Sequence, residues 1–129
     1  MIINKPEIEI LLGKVFKKIE ITENEGAVIF HTENELFEMS HSQDCCENVY
    51  LDDIDGEIDI LLDAPILFAE EVINRNESPE ELKNKINEWC ESYTWTFYKI
   101  GTIKGSLTFR WFGESNGYYS ENITVWKIK

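Results

Sequence analysis

One short segment of the chain gathers side chains that can bind metals or act as nucleophiles: His41, Ser42, Gln43, Asp44, Cys45, Cys46 and Glu47. His41 and one cysteine have a workable spacing for a zinc ion, with Asp44 or the distant Cys90 as further ligands. A cysteine could instead act as a nucleophile if His41 took up its proton. In a third interpretation, one cysteine faces the interior as a small hydrophobic side chain, while His41 and Asp44 hydrogen-bond the loop backbone.

The surroundings of this segment argue against the first two interpretations. Adjacent cysteines chelate one ion poorly, and the sequence has no second Cys–His pair. Asp44 is too close to His41 along the chain to orient a catalytic base, and no nucleophile signature flanks the cysteines. We therefore expect no cofactor and no catalytic residue. The alternative is a metal-binding or small-ligand domain, or an enzyme, centred on His41, Asp44, Cys45 and Cys46.

A run of acidic residues follows, with eight Asp or Glu and no Lys or Arg between residues 44 and 63. Around Gly56 it resembles a calcium-binding loop, but Leu51 and Leu62 occupy the first and twelfth positions, where such a loop needs Asp and Glu. The run therefore predicts either a solvated turn or an acidic surface for a basic partner. For the second case, the candidate binding residues are Asp52, Asp53, Asp55, Glu57 and Asp59.

A third region combines an arginine with aromatic residues around a tight turn. Asn116-Gly117 is a strong signal for a hairpin, and Arg110, Tyr118 and Tyr119 flank it. Arginine and tyrosine are frequent at the energetically important positions of protein interfaces. These three residues are therefore candidates for binding, and Arg110 also for contact with a small anion. In the alternative interpretation, Trp111 belongs to the core and the tyrosines cover the edge of a sheet.

The strands that must position these residues show an alternation of apolar and polar side chains. Phe37, Met39 and His41 fall on one face of a strand, and the segment 107–111 alternates in the same way. The segment 94–103 is rich in aromatic and β-branched residues, which also favour strands. Between Cys45 and Ile54 the pattern is ambiguous.

One helix is predicted with more detail. Ser78-Pro79-Glu80-Glu81 is a typical helix start, because Ser78 can cap, Pro79 suits the first turn and Glu81 completes a capping box. Apolar residues follow at helical spacing: Leu82, Ile86, Trp89 and Cys90. The sequence therefore predicts an α+β fold, with a mainly antiparallel sheet of about six strands, one clear helix over about 79–91 and one or two short helices.

The composition of the chain indicates the broad class of protein to which it belongs. The chain has 129 residues, of which 43% are hydrophobic, so it can form a single domain, residues 1–129, with a substantial core. Its formal net charge of −13 at pH 7 repels nucleic acid and anionic membranes and favours a basic partner. The sequence has no apolar run long enough to span a membrane, and its first residues lack the pattern of a signal peptide, so we expect none. Three cysteines, two of them adjacent, argue against a disulfide framework and favour a reducing cytoplasm.

Three motifs of the chain are distinctive: HSQDCCE at 41–47, ESYTWTFY at 91–98 and RWFGESNGYYS at 110–120. With them, the chain resembles a family of small proteins of unknown function that are encoded mostly by phages and prophages of Gram-positive bacteria. The resemblance covers most of the chain and implies a phage origin, but it implies no activity and no site residue. By analogy, small acidic phage proteins outside the virion are often modulators or inhibitors of host machinery.

We therefore expect a non-enzymatic acidic protein in the cytoplasm of a bacterial host cell. Its expected partner is a host protein with a basic surface, such as a defence or nucleic-acid-handling factor, which it modulates or inhibits. We expect no direct binding to nucleic acid or to membranes. The expected binding residues are Asp52, Asp53, Asp55, Glu57, Asp59, Arg110, Tyr118 and Tyr119.

Overall fold

The computed structural model describes residues 7–24, 26–86 and 91–129. Within them the elements follow in the order η1 (Glu7–Leu11), β1 (Lys18–Ile21), β2 (Ala27–His31), β3 (Leu36–Ser40), β4 (Asn48–Asp55), η2 (Ile58–Leu61), β5 (Phe68–Arg75), η3 (Glu80–Lys85), β6 (Ser92–Thr102), β7 (Gly105–Ser115) and β8 (Thr124–Lys127). The three elements named η are 3₁₀ helices. None of the helices described is long and apolar enough to cross a membrane.

The eight strands form two antiparallel sheets of four strands each. The first sheet has the order β1-β2-β3-β8, and the second has the order β4-β7-β6-β5. The long β6–β7 hairpin forms the centre of the second sheet, with Ser92 opposite Ser115 at its open end and Thr102 opposite Gly105 at its turn. The register of β4 against β7 contains a bulge, because Leu51 pairs with Trp111 while Asp53 pairs with Arg110, which leaves Asp52 as the extra residue.

This architecture corrects the predicted fold class. The prediction of one sheet of about six strands with a clear helix is wrong, because the described residues form two four-stranded sheets with 3₁₀ turns. The predicted helix over about 79–91 is a 3₁₀ helix at Glu80–Lys85, preceded by Pro79 without a side-chain cap. The hydroxyl of Ser78 accepts a hydrogen bond from Trp95 Nε1 at 3.0 Å, so it acts as a tertiary contact. Residues 87–90, with Trp89 and Cys90 of the expected apolar stripe, lie outside the described residues.

The main core lies between the two sheets. Alternate residues of the central strands fill it, as the period of a strand requires: Val28, Phe30, Phe37, Met39, Tyr98, Ile100, Leu107, Phe109 and Trp111. Trp111 Nε1 contacts Met39 Sδ at 3.2 Å and so links the second sheet to the first. The buried Trp111 agrees with the interpretation that it belongs to the core. The predicted hairpin at Asn116-Gly117 is wrong, because β7 pairs with β4 and β6 whereas β8 pairs with β3 in the other sheet.

A smaller apolar cluster lies on the outer face of the second sheet. Trp95 and Phe112 pack there with ring centroids 4.6 Å apart, and Leu82 of η3 covers them. The aromatic residues of β6 are therefore divided between two cores, since Tyr98 faces the other sheet while Trp95 faces η3.

The two seams between the sheets are closed to different degrees. On one side, η1 packs against both β5 and β8. Its Glu7 accepts a hydrogen bond from the backbone N–H of Val125 at 3.0 Å. On the other side, β1 and β4 are the terminal strands of their sheets, and a groove between them is lined by Ile21, Leu51, Asp52, Asp53 and Ile54.

Candidate functional site

The segment His41–Glu47 follows the end of β3 and folds around the carboxylate of its own last residue. Glu47 is 4% exposed. Its Oε1 accepts hydrogen bonds from Cys45 N at 2.9 Å and Gln43 Nε2 at 3.2 Å. Its Oε2 accepts from Asp44 N at 3.0 Å and contacts His41 Nε2 at 2.8 Å. The carboxylate therefore organises the whole loop, as buried carboxylates do when backbone N–H groups surround them.

Both nitrogens of the His41 ring are engaged. Nδ1 lies 2.7 Å from the carbonyl oxygen of Asn122, and Nε2 lies 2.8 Å from Glu47 Oε2. Both partners are acceptors, so a neutral ring can donate to only one of them. Neither nitrogen is directed at a thiol, as a histidine base in a Cys–His pair would be.

The donors around Glu47 change its acidity. Burial raises the pKa of a carboxyl, but the backbone N–H groups and the His41 side chain outweigh that effect and lower the pKa of Glu47 from 4.5 to about 2. Glu47 is therefore ionised at neutral pH and cannot serve as a general acid there. The arrangement suits a structural anchor for the loop.

The two cysteines lie on the outside of the same loop. Cys45 and Cys46 are both exposed, so the expectation that one of them faces the interior is wrong. Their sulfur atoms are in contact, as in a disulfide between neighbouring residues. Among the described residues, no three His, Cys, Asp or Glu side chains are grouped in a way that could hold a metal ion.

A second buried carboxylate, which the sequence analysis did not single out, lies beside this loop. Glu121 is 5% exposed and accepts hydrogen bonds from the hydroxyls of Thr94, at 2.7 Å, and of Ser115. The chain passes close to β7 here because Gly113 has no side chain: a Cβ at that position would lie 3.0 Å from Glu121 Cβ. The alternation of a strand could have indicated the burial of Glu121, because Glu121, Ile123 and Val125 lie two residues apart and all three are buried.

Asn122 connects the two carboxylate sites. Its carbonyl oxygen contacts His41, and its side-chain Oδ1 accepts a hydrogen bond from Arg75 Nη2 at 2.8 Å. An open cleft of about 320 Å³ lies next to it, lined by residues that include Arg75, Tyr118 and Tyr119. Tyr118 is 85% exposed, and its ring contacts that of Tyr119 edge-on at 5.0 Å.

Arg110 and Asp52, both proposed as binding residues, are paired with each other. Arg110 donates to Asp52 Oδ2 from Nε at 2.8 Å and from Nη2 at 2.6 Å. The guanidinium also lies over the Trp95 ring, 5.6 Å from its centroid. The Asp52 side chain is 9% exposed. The bulge thus directs Asp52 to neutralise Arg110, which disfavours binding of an anion at that position.

The other predicted acids face solvent. Asp53, Asp55, Glu57 and Asp59 are all exposed, and Asp53 is 3.9 Å from Arg110 Nη2. Asp55 pairs in register with Thr108, whereas the tyrosines follow the other end of β7 at Ser115. Seven residues of strand separate these positions, a distance of roughly 23 Å. The acidic run and the tyrosine pair therefore lie at opposite ends of β7.

Comparison with known proteins gives a family without an assigned activity. No curated protein and no solved structure matches the chain. A protein family described as a domain of unknown function, DUF7448, matches residues 9–125. The match includes strands of both sheets and the two carboxylate sites, and the chain belongs to this DUF7448 family.

Proposed function

We propose that this protein is a non-enzymatic binding protein that attaches to a basic surface of a partner protein through four acids. These acids, which we call the acidic edge, are Asp53, Asp55, Glu57 and Asp59. The observation that carries the proposal is that all four are exposed at the end of β4 and the start of η2. Their charges are available to a partner, and such a field accelerates association with a basic surface.

The contrast with Asp52 supports this assignment. Asp52 is nearly buried and paired with Arg110, so it contributes to the fold. In the part of the chain that the structure describes, the salt bridges do not involve Asp55, Glu57 or Asp59. These acids hold no element together, and charged side chains that do no structural work can be used for recognition.

The side chains that could act in catalysis are already engaged in other contacts, which supports the same proposal. Both nitrogens of His41 are engaged with Asn122 and Glu47, and Glu47 is surrounded by four donors. A catalytic base needs a free position next to its substrate. In the alternative function, a metal ion or small ligand bound at this loop would have to displace contacts that maintain the loop itself.

The biological setting is part of the proposal. We infer a phage or prophage origin from the motifs at 41–47, 91–98 and 110–120, and a partner in the bacterial host, such as a defence or nucleic-acid-handling factor. Many proteins that bind nucleic acid present a basic surface or cleft to its phosphates. The acidic edge would occupy such a cleft and compete with the nucleic acid, which gives a direct route to inhibition.

A pull-down from the lysate of a Gram-positive bacterium tests the proposal. We expect the wild-type protein to retain one host protein stoichiometrically at low salt and to lose it as salt rises, because exposed charges are screened. A variant with Asp53→Lys, Asp55→Lys and Glu57→Lys should retain none of it.

A matched variant controls for net charge. Glu33, Glu77 and Glu91 are also exposed and lie outside the acidic edge. Replacing these three with Lys changes the net charge by the same amount and should leave binding intact. If both variants bind as the wild type does, the acidic edge is not the binding surface. If both lose binding equally, only net charge matters and the localised surface is refuted.

A further inference from the structure

A groove with an apolar lining lies between β1 and β4, next to the acidic edge. It measures about 360 Å³ and is lined by Ile21, Leu51 and Ile54, with Asp52 and Asp53 beside them. Leu51 is buried and Ile54 packs against the main core, so both are fixed in place. Ile21, at the end of β1, is 39% exposed.

The position of this groove follows from the topology. Each sheet ends here in a strand that has a partner on one side within the described chain, β2 for β1 and β7 for β4. The opposite seam has η1 packed over β5 and β8. An apolar cavity of about 150 Å³ suffices for a benzene-sized group. The groove is therefore large enough for a bulky apolar side chain together with part of the backbone that carries it.

Charge decides which occupant fits. Asp53 lines the groove, its side chain is 52% exposed, and Asp55 follows on the same strand. A second copy of this chain would bring the same acids to the contact and would be repelled. A free apolar metabolite would offer no positive charge to the exposed carboxylates of Asp53 and Asp55. A protein segment with Lys or Arg next to an apolar residue satisfies both the lining and the charge.

We propose that the groove seats one large apolar side chain of an extended segment of the partner protein, with Lys or Arg residues of that segment pairing with Asp53 and Asp55. The inference rests on the proposed function and adds a specificity to it. The acidic edge attracts any basic surface, whereas the groove selects a segment in which basic and bulky apolar residues alternate. Burying one such side chain should raise the affinity about tenfold or more.

Two synthetic peptides serve as the probes. One is Lys-Ile-Lys-Ile-Lys with blocked ends, and the matched control is Lys-Ser-Lys-Ser-Lys, which has the same charge. We expect the isoleucine peptide to bind about tenfold more tightly in a fluorescence anisotropy titration. Its NMR chemical-shift changes should be centred on Ile21, Leu51 and Ile54.

Substitutions at exposed positions link the preference to the groove. Ile21→Ser should reduce the preference for the isoleucine peptide to about twofold or less without changing the fold, because the side chain is partly exposed. Ile103→Ser is the control, since Ile103 is 84% exposed and does not line the groove. It should leave the preference unchanged.

The outcomes separate this inference from the proposed function. If the two peptides bind equally well and both depend on the acidic edge, the proposed function stands and the groove inference is overturned. If the isoleucine peptide does not bind at millimolar concentration, or shifts residues around Tyr118 instead, the groove inference is also overturned. Loss of the proposed function would show in the lysate experiment, as retention of the partner by the variant with three acids reversed.

Discussion

Glu47 and Glu121 at one end of the sandwich, and Asp53, Asp55 and Glu57 at the other, place the same chemical group in opposite environments. The first two carboxylates are 4% and 5% exposed and are surrounded by hydrogen-bond donors. The other three are exposed. Carboxylates thus serve this chain in two unlike ways, since the buried pair maintains loops while the exposed ones face solvent.

The difference teaches how chemically suggestive residues should be weighed. The segment 41–47 contains the residues that metals and nucleophilic catalysis require, yet its contacts are directed inward to Glu47. The acidic edge resembles an ordinary solvated turn in the sequence, yet its side chains are exposed and therefore available to a partner. Residue types with reactive side chains are thus not necessarily the residues that the structure exposes to a partner.

The largest expected effect comes from Glu47→Gln. The amide would place an NH₂ group against backbone N–H groups of Asp44 or Cys45, which cannot reverse their role. We expect Tm to fall by roughly 10 °C, as for other broken buried networks. Differential scanning calorimetry provides the measurement. A fall of less than about 3 °C would show that the loop reorganises around an amide and that the carboxylate is not its anchor.

Lowering the pH should reduce the stability of the wild-type protein more than that of the Glu47→Gln variant. The pKa of Glu47 is lowered to about 2 in the folded protein, so its contribution to stability is complete above its unfolded value of 4.5. That contribution is lost as the pH falls from about 4.5 towards 2. Urea unfolding at several values between about pH 5 and 2.5 should therefore show a steeper loss of stability in the wild type than in Glu47→Gln. Equal slopes would contradict the assignment.

The next largest loss of stability is expected when the Arg110–Asp52 pair is broken. Arg110→Met leaves the nearly buried carboxylate of Asp52 without its guanidinium partner and should lower the free energy of unfolding by about 2 kcal/mol. Adding Asp52→Asn should recover part of that loss, because the amide costs less to bury than a charge. Chemical denaturation of the two variants measures both values. No recovery in the double variant would mean that Arg110 stabilises through Trp95 instead.

The smallest effect is expected for Glu121→Gln. Its partners are the hydroxyls of Thr94 and Ser115, and a hydroxyl can rotate from donor to acceptor. The substitution should cost about 1 kcal/mol, less than Glu47→Gln, although the two carboxylates are equally buried. Urea unfolding of the two variants side by side gives the comparison. A larger loss for Glu121→Gln would reverse the ranking and make the Glu121 site the stronger anchor.

Sequence patterns predicted the strands where the alternation was regular. Phe37 and Met39 in β3, and Leu107, Phe109 and Trp111 in β7, are buried as the alternation predicts. The helix over 79–91 was predicted from local signals, and the tertiary contact of Ser78 with Trp95 used the residue that should have capped it. Whether a serine caps or packs depends on a strand that follows it in the chain, which a local pattern does not contain.

The candidate site could be predicted from the sequence only in part, because some of its contacts depend on which strands pair. Glu47, Val49 and Leu51 lie two residues apart, Leu51 belongs to the main core and Val49 packs against it. This alternation is consistent with a buried Glu47, but the ambiguous pattern of the segment 45–54 did not predict it. The contact of His41 with Asn122 joins positions 81 residues apart and depends on the pairing of β3 with β8. Such a contact follows from topology and is not encoded in the spacing of neighbouring residues.

The bulge at Asp52 has a consequence for how this strand can change in evolution. Leu51 belongs to the main core and Ile54 packs against it although they are three residues apart, because Asp52 is the extra residue in the register. Deleting Asp52 would leave the remaining residues in ordinary alternation, with the same side chains inward. Its loss would, however, take the counter-ion from Arg110. A one-codon deletion at position 52 is therefore compatible with the fold when position 110 loses its charge as well.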